Sequence, residues 1–545
     1  MMKRQLVSIT CIMVLSLGSL SFSTTYDGFE ISKQVEIFVT FFMKLNQNYV
    51  DETNPAELMD TAINAITKDL DPYTKFWTEQ DIEASKIRNT GQYSGIGASI
   101  HMHKERLYIN EPYKNFPADK AGMKAGDEII EIDDLKIEDF KGEAKDLLRG
   151  ETGSEVKITY IRQGKKHTVK IKRDKIDIDA VPYYALLEDN SAYIVLQKFN
   201  KKASSQVIKA LKELKSQGAD KVILDLRGNP GGLLKEAVNV CNVFVDKGER
   251  IVYTQSAIES NRKEYKTLKT PIDTKIPLAI LIDQKSASAS EIVSGTIQDL
   301  DRGVIIGQRS FGKGLVQSTR KLKYNTLLKV TTSRYYIPSG RCIQALDYWN
   351  KDEDGKPIRT KNSDYNEFKT LNNKRTVYDG GGILPDIEIK EGNRSQIAKT
   401  LLREKIIFNY ATHFYYNNKI DDIKSFHLSE TNYKDFLDYL YNTNFSYETK
   451  TEQSLKKLFD IAEKEDIRKH INTEYNTLLA SIQSAKKKAL NDHSEEIKLL
   501  LTNEILKRYF YKEGSYEYNI THNEGVRIAR ETLVNTNKYN NILGY

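Results

Sequence analysis

Three serines alternate with alanines in Ser286-Ala-Ser-Ala-Ser290-Glu291, just after the apolar run Pro277–Ile282 and before an apolar-periodic stretch from about Ser290 to Leu300. The run reads as a buried strand and the stretch as a helix. A serine at that junction stands at the carboxyl end of a sheet, where α/β proteins place ligands. The N–H groups of a helix start lack intrahelical acceptors, and the helix dipole favours negative charge there. Taken alone, the same serines read more readily as an ordinary helix cap, and a nucleophile needs a base as well. Histidine is absent between His167 and His413, which leaves the middle of the chain without a Ser-His-Asp set. The basic candidate is Lys313 in Ser310-Phe-Gly-Lys-Gly314, whose small neighbours let its side chain turn inward. A desolvated lysine can be neutral near pH 7 and act as the base of a Ser–Lys pair.

The same lysine has a rival chemistry. Gly307-Gln-Arg-Ser-Phe-Gly312-Lys313-Gly314 follows a phosphate-binding loop up to its last position, where Gly314 replaces the Ser or Thr that would hold magnesium. Such a loop must run into a helix, whereas Leu315–Leu322 alternates like a strand, which argues against nucleotide binding. His101 and His103 share one face of a strand without a third ligand nearby, so they are expected to be surface histidines, and no metal or cofactor is implied. Cys241 falls on an apolar helical face and Cys342 in a strand-like segment; whether they pair stays open.

The elements around these residues divide the 545-residue chain into several parts. Lys3 and Arg4, the mainly apolar Gln5–Leu20 and the small residues of Ser21-Phe-Ser23 have the layout of a cleavable export signal, residues 1–23, with an uncleaved anchor as the alternative. Export to the periplasm or envelope is expected. Residues 24–90 show helical periodicity at Ile31–Tyr49 and Pro55–Leu70. Residues 91–175 mix short strands with a helix at Phe140–Arg149. Residues 176–395 alternate strand and helix, as in an α/β layer with a largely parallel sheet. Residues 396–545 carry long helical patterns such as Glu452–Lys469 and Thr477–Tyr509, and read as a separate helical domain. A net charge of +7 with no concentrated basic stripe argues against a nucleic-acid partner.

Residues 91–175 resemble a PDZ domain, through Ser94-Gly95-Ile96-Gly97 and Ala121-Gly-Met-Lys-Ala-Gly-Asp127. The resemblance implies that Ser94, Gly95, Ile96 and Gly97 grip a C-terminal carboxylate while the adjacent strand edge pairs with the peptide. Over residues 70–386 the chain resembles the C-terminal processing (tail-specific) peptidases; the last 150 residues carry no block of theirs. The shared blocks are Leu70-Asp-Pro72, Gly95-Ile-Gly97, Leu224-Asp-Leu-Arg-Gly-Asn-Pro-Gly-Gly232, Ser286–Ile292, Gln298-Asp299, Gly307 with Phe311–Gly314 and Gln317, Tyr335–Arg341 with Ile343-Gln344, and Gly380–Asp386.

That resemblance implies a multidomain α/β and α+β fold: a PDZ-like domain before an α/β protease core, flanked by N- and C-terminal helical regions. It implies Ser288 as nucleophile, Lys313 as base and Gln317 as the residue that orients the lysine. The oxyanion donors would be the N–H of Ala289 and one from Gly231 or Gly232, and Asp299 a structural support near the site. Substrates would be proteins or peptides with accessible C-termini, with the helical regions open to an adaptor or to self-association. The rival functions are a PDZ adaptor that has lost catalysis, which intact Ser288, Lys313 and Gln317 argue against, and the nucleotide enzyme.

Overall fold

The computed structural model describes residues 28–140, 143–256, 262–389, 394–443, 445 and 447–545. The expected export signal lies outside them. The chain divides between Phe76 and Trp77. The first unit holds helices α1 (Gly28–Asn48) and α2 (Pro55–Leu70). Pro55 opens α2, and the Asn54 side chain caps it by accepting from the N–H groups of Ala56 and Glu57. The Leu-Asp-Pro break after α2 is a turn in which the Asp71 carboxylate accepts from the Tyr73 and Thr74 N–H groups, each at 2.7 Å. No residue of α1 is buried.

The second unit begins with α3 (Glu79–Thr90), which the sequence reading had grouped with the first two helices. A capping box between Thr78 and Asp81 starts it, and Gly91 in the left-handed conformation ends it. The PDZ-like segment follows: β1 (Gln92–Gly95), β2 (Ala98–His103), β3 (Arg106–Pro112), β4 (Glu128–Ile132), α4 (Ala144–Leu147), β5 (Glu155–Arg162), β6 (Lys165–Lys172) and β7 (Asp174–Asp177). β2 to β6 form one antiparallel sheet with β2 at its edge, and β1 pairs with β7. The helix expected over Phe140–Arg149 is a single turn, α4. Phe140 is extended (φ −90°, ψ 113°), and both pieces fill the same apolar core, so the spacing that suggested a helix comes from packing.

The protease core comprises β8 (Tyr183–Leu186), β9 (Ser191–Val195), α5 (Ala203–Ser216), β10 (Lys221–Asp225), α6 (Leu234–Phe244), β11 (Arg250–Gln255), β12 (Lys263–Lys266), β13 (Leu278–Ile282), α7 (Ala289–Asp299), β14 (Val304–Gly307), β15 (Leu315–Lys321), β16 (Leu327–Tyr336) and β17 (Ile387–Glu388). The main sheet runs β8-β9-β10-β13-β14-β17 and is parallel except for β8. A second sheet joins β15 to β16 and β16 to β11 and β12.

Alternation along the central strands explains the layering. Ala192, Ile194, Val222, Leu224, Leu278 and Ile280 face α5, α6 and α7. Tyr193, Ile223, Ala279, Leu281, Val304 and Ile306 point the other way and need their own cover, since a parallel sheet is buried on both faces. The cover comes from the end of the chain, α14 (Glu524–Val534) and α15 (Thr536–Leu543), through Val526, Ala529, Leu533, Tyr539 and Leu543. The final helices therefore pack on the protease sheet.

A second, helical core draws on α8 (Gln396–Arg403), α9 (Ile406–Asn417), α10 (Glu430–Asn442), the end of α12 (Arg468–Asp492) and the first half of α13 (Ser494–His522), while Phe459 of α11 (Lys450–Lys464) stacks on Tyr475 of α12. The long pattern Thr477–Tyr509 is broken at His493 between α12 and α13, and α13 is itself kinked at Phe510 and Tyr511. No helix among the described residues is long and apolar enough to cross a membrane.

Asp299 ends α7, about 15 Å along the helix axis from Ser288. Its carboxylate and the Arg341 guanidinium are both fully buried, 2.8 Å apart, and the Ser339 N–H donates to it at 2.9 Å. Asp299 thus fastens the far end of the helix rather than bordering the site. Removing one partner of such a pair strands a buried charge. Asp299→Ala should lose about 3–5 kcal/mol of stability in a urea titration; an unchanged midpoint would contradict this role.

Candidate active site

Ser288 precedes α7 with φ 56° and ψ −110°, a backbone state costly for a non-glycine residue. Several bonds hold it there. Its N–H donates to Glu291 Oε2 at 2.7 Å, and its carbonyl accepts from the Ile292 N–H at 2.9 Å. The Asn229 carbonyl accepts from the Ala287 N–H at 3.1 Å. The result is a sharp strand-to-helix turn that presents a half-buried serine to a cleft of about 950 Å³.

The three serines separate by what their hydroxyls do. Ser286 is buried and donates to the Leu226 carbonyl at 2.8 Å. Ser290 is buried and donates to the Asn229 carbonyl at 2.9 Å. Both join the serine turn to the Leu226–Gly232 turn, whereas Ser288 alone of the three lines the cleft. Lys313, Gln317, Ala289, Gly231 and Gly232 line it as well, so the fold gathers every residue the family resemblance implies for catalysis.

The glycine turn lies directly against the serine. A methyl group added to Gly231 would sit 2.6 Å from the Ala287 carbonyl oxygen and 2.9 Å from the Ala289 nitrogen, so no side chain fits. The Gly231 N–H donates to Asn229 Oδ1 at 2.9 Å. Gly232 accompanies a short parallel bridge in which the Phe199 N–H donates to Gly231 and the Leu233 N–H donates to Phe199. Its own N–H has no acceptor among the described residues, and neither has that of Ala289.

Glu291, three residues after Ser288, links the serine turn to the lysine segment. Its carboxylate is fully buried and accepts from the Ser288 N–H (2.7 Å), the Ser310 hydroxyl (2.6 Å), the Gly312 N–H (2.6 Å) and the Lys313 N–H (2.9 Å). Burial raises its carboxyl above the usual range, while the Ser310 hydroxyl and the N–H donors pull it back. Tyr335 makes a second link: its hydroxyl donates to the Lys313 carbonyl and lies 3.3 Å from the Ser288 carbonyl. The sequence offered a signal for both residues, since each stands in a family block, but no chemistry for either. Gln317 follows a β-bulge in β15, a feature that re-aims a side chain, and its amide donates to Thr331 Oγ1 at 3.3 Å.

The PDZ-like segment is arranged differently from its reading as one loop. Ser94 and Gly95 are strand residues of β1, paired with Lys175 and Asp174, and Ile96 and Gly97 alone form the turn into β2. Gly97 has φ +73°, and a methyl there would strike Phe116 Cβ at 2.5 Å. Beside the open edge of β2 lies a cavity of about 290 Å³ lined by Ile100, His101, Met102, Leu107, Glu143, Ala144 and Lys145. His101 is not the surface residue expected. Its ring stacks on Tyr108 and meets the edge of Phe408 in α9, at centroid distances of 5.5 and 5.0 Å. Among the described residues, no group of three His, Cys, Asp or Glu side chains could hold a metal ion. Cys241, buried in the core with its thiol pushed up to about 12, and Cys342 are both free thiols.

The fold and site define a PDZ-containing serine peptidase. Residues 94–172 match the PDZ domain model, residues 190–348 match peptidase family S41, and residues 397–533 match the C-terminal helical domain of a probable PDZ-protease. The chain belongs to the carboxy-terminal-processing protease family. It is 36% identical over 330 residues to a carboxy-terminal-processing protease of Bartonella bacilliformis, covering 59% of this chain and 75% of that one. It is 33% identical over 309 residues to a probable CtpA-like serine protease of Staphylococcus aureus, covering 55% of this chain and 60% of that one. Among solved structures, a photosystem II D1 C-terminal processing protease is similar at 26% identity and a TM-score of 0.35, covering 65% of this chain and 92% of that one.

Glu291→Gln replaces one acceptor oxygen with an N–H₂ group facing backbone donors, so kcat should fall at least about tenfold with KM little changed. Equal kcat would mean that Glu291 does not position the site. Burial against Phe408, then the Lys405, His103 and Arg508 charges, lower His101 from 6.5 to about 4. A histidine with a depressed folded value contributes stability that is present above its unfolded value and lost as pH falls through the folded one. The melting temperature of the wild type should therefore drop more steeply between pH 6.5 and 4 than that of His101→Leu; parallel curves would refute this.

Proposed function

We propose that the protein is an endopeptidase that captures protein C-termini through its PDZ-like domain and cuts with a Ser288–Lys313 dyad through an acyl-enzyme. One observation carries the reading: Ser288 is the one serine of its run that opens on the cleft, and Lys313 lines the same cleft on a segment tied to it through Glu291. Neutral Lys313 takes the Ser288 proton as Oγ attacks the scissile carbonyl, and the protonated lysine then gives that proton to the leaving amine. The oxyanion forms where the N–H groups of Ala289 and Gly232 lack protein acceptors. Gly232 is therefore the better second donor than Gly231, whose N–H is already engaged by Asn229. Gln317 orients the lysine from the bulged strand. Water then attacks the ester and releases the new C-terminus. No cofactor enters this scheme.

Support for C-terminal capture is the open edge of β2 beside its cavity, which suits an added peptide strand. The exposed Phe29, Ile31, Val35, Phe38, Val39 and Phe41 of α1 support self-association through the N-terminal helices. Export to the envelope rests on the N-terminal signal pattern alone.

Ser288→Ala and Lys313→Ala should each lower kcat/KM on a peptide with a free C-terminus by at least about a thousandfold, with unchanged melting temperature. A serine-directed phosphonate should add its mass at Ser288. Full cleavage by Ser288→Ala would sink the assignment.

A further inference from the structure

The cleft around Ser288 has walls of one charge. Apart from Lys313, the proposed neutral base, its basic lining residues are Lys86, Arg88, Lys198, Lys201 and Lys329, and no Asp or Glu lines it. These cations come from three separate parts of the chain. Lys86 and Arg88 lie on α3, Lys198 and Lys201 on the segment between β9 and α5, and Lys329 on β16. The Lys201 N–H donates to the Asn89 carbonyl at 2.9 Å, which fastens the end of α3 to the 198–201 segment. That segment in turn bridges Gly232 through Phe199, so this basic wall adjoins the acceptor-free Gly232 N–H.

Ion pairs elsewhere do not consume the charge of four of these residues. No carboxylate among the described residues lies within ion-pair distance of Lys86, Arg88, Lys198 or Lys201. Arg88 and Lys198 also border a neighbouring cavity lined by Glu111, Asp177, Asp179 and Glu513, where Asp177 is paired with Lys202 and Glu111 with Lys512, and Asp179 and Glu513 lie beyond ion-pair distance of both Arg88 and Lys198. Burial, then the charge of Arg88, lower the half-buried Lys198 ammonium, which marks a cation still lacking its counter-charge.

A cleft lined by one sign of charge concentrates a partner of the opposite sign and discriminates against like charge. We propose that the cleft takes a polypeptide segment carrying Asp or Glu side chains beside the scissile bond. This is a preference at the cutting site, separate from recognition of the free C-terminus by the PDZ-like domain. It rests on the Ser288 assignment for the position of the cut, but not for the charge of the bound segment.

The test uses the full chain and internally quenched peptides on one apolar scaffold with a free C-terminus, bearing Asp, Asn or Lys beside the cleaved bond. At low salt, kcat/KM should rank Asp over Asn over Lys, with about tenfold per step, and the gaps should shrink as salt screens the cleft. Lys86→Glu combined with Lys201→Glu, both exposed positions, should reverse the Asp-to-Lys order. Affinity of the same peptides for Ser288→Ala, read by fluorescence anisotropy, should follow the wild-type order without any turnover. Equal affinities for the three peptides, or an order untouched by the charge reversal, overturn the proposal. An intact affinity order with no cleavage by the wild-type chain supports the acidic preference and overturns the peptidase mechanism alone.

Discussion

The site depends on one buried carboxylate. Glu291 lies on the first turn of α7, yet two of its four donors belong to backbone some twenty residues further on, at Gly312 and Lys313. Its other bonds run to the Ser310 hydroxyl and to the N–H of Ser288 itself. A charge so far from water is tolerable where its lone pairs are filled by donors of good geometry. Those donors are the segments that bear the proposed nucleophile and base. Satisfying one acid thus fixes the spacing of these two segments and helps hold Ser288 in its strained backbone state.

Around this hub the core repeats the device with neutral groups. Asn229 receives the N–H of Gly231 on its side chain, while its carbonyl accepts from Ala287 and from the Ser290 hydroxyl. The glycine turn and the serine turn are held together, and the Gly232 and Ala289 N–H groups are left without an acceptor among the described residues. Preorganisation of this kind is what an oxyanion site needs, since the donors need not reorient when charge appears. The outer supports lie further off: Asp299 with Arg341 at the far end of α7, and α14 and α15 across the back of the sheet.

The PDZ-like domain meets the rest of the second unit mainly through the helical region. His101 abuts Phe408, and the Tyr511 hydroxyl, at the kink in α13, donates to Asp119 at 2.7 Å. The helical region therefore touches the PDZ-like domain on one side, while the helices after it cover the protease sheet on the other.

Much of the chemistry was legible in the chain order. The strand–turn–helix signal at Ser286–Leu300, the absence of central histidines and the strand after Gly314 follow from local pattern, because strand and helix periodicities are set by near neighbours. Local pattern also misled. The apolar spacing of Phe140–Arg149 belongs to core packing rather than to a continuous helix, and nothing in the sequence of α14 and α15 names the sheet they cover. Which serine opens on the cleft was beyond any reading of Ser-Ala-Ser-Ala-Ser, since the answer lies in acceptors contributed by Leu226 and Asn229. The chain shows no basic stripe, yet the fold collects cations from positions 86 to 329 around one cleft. Sequence by itself determined the elements and the residue types able to do chemistry; only tertiary structure decided which hydroxyl was left exposed and which charges met, because hydrogen-bond partners and electrostatic fields depend on distance in space.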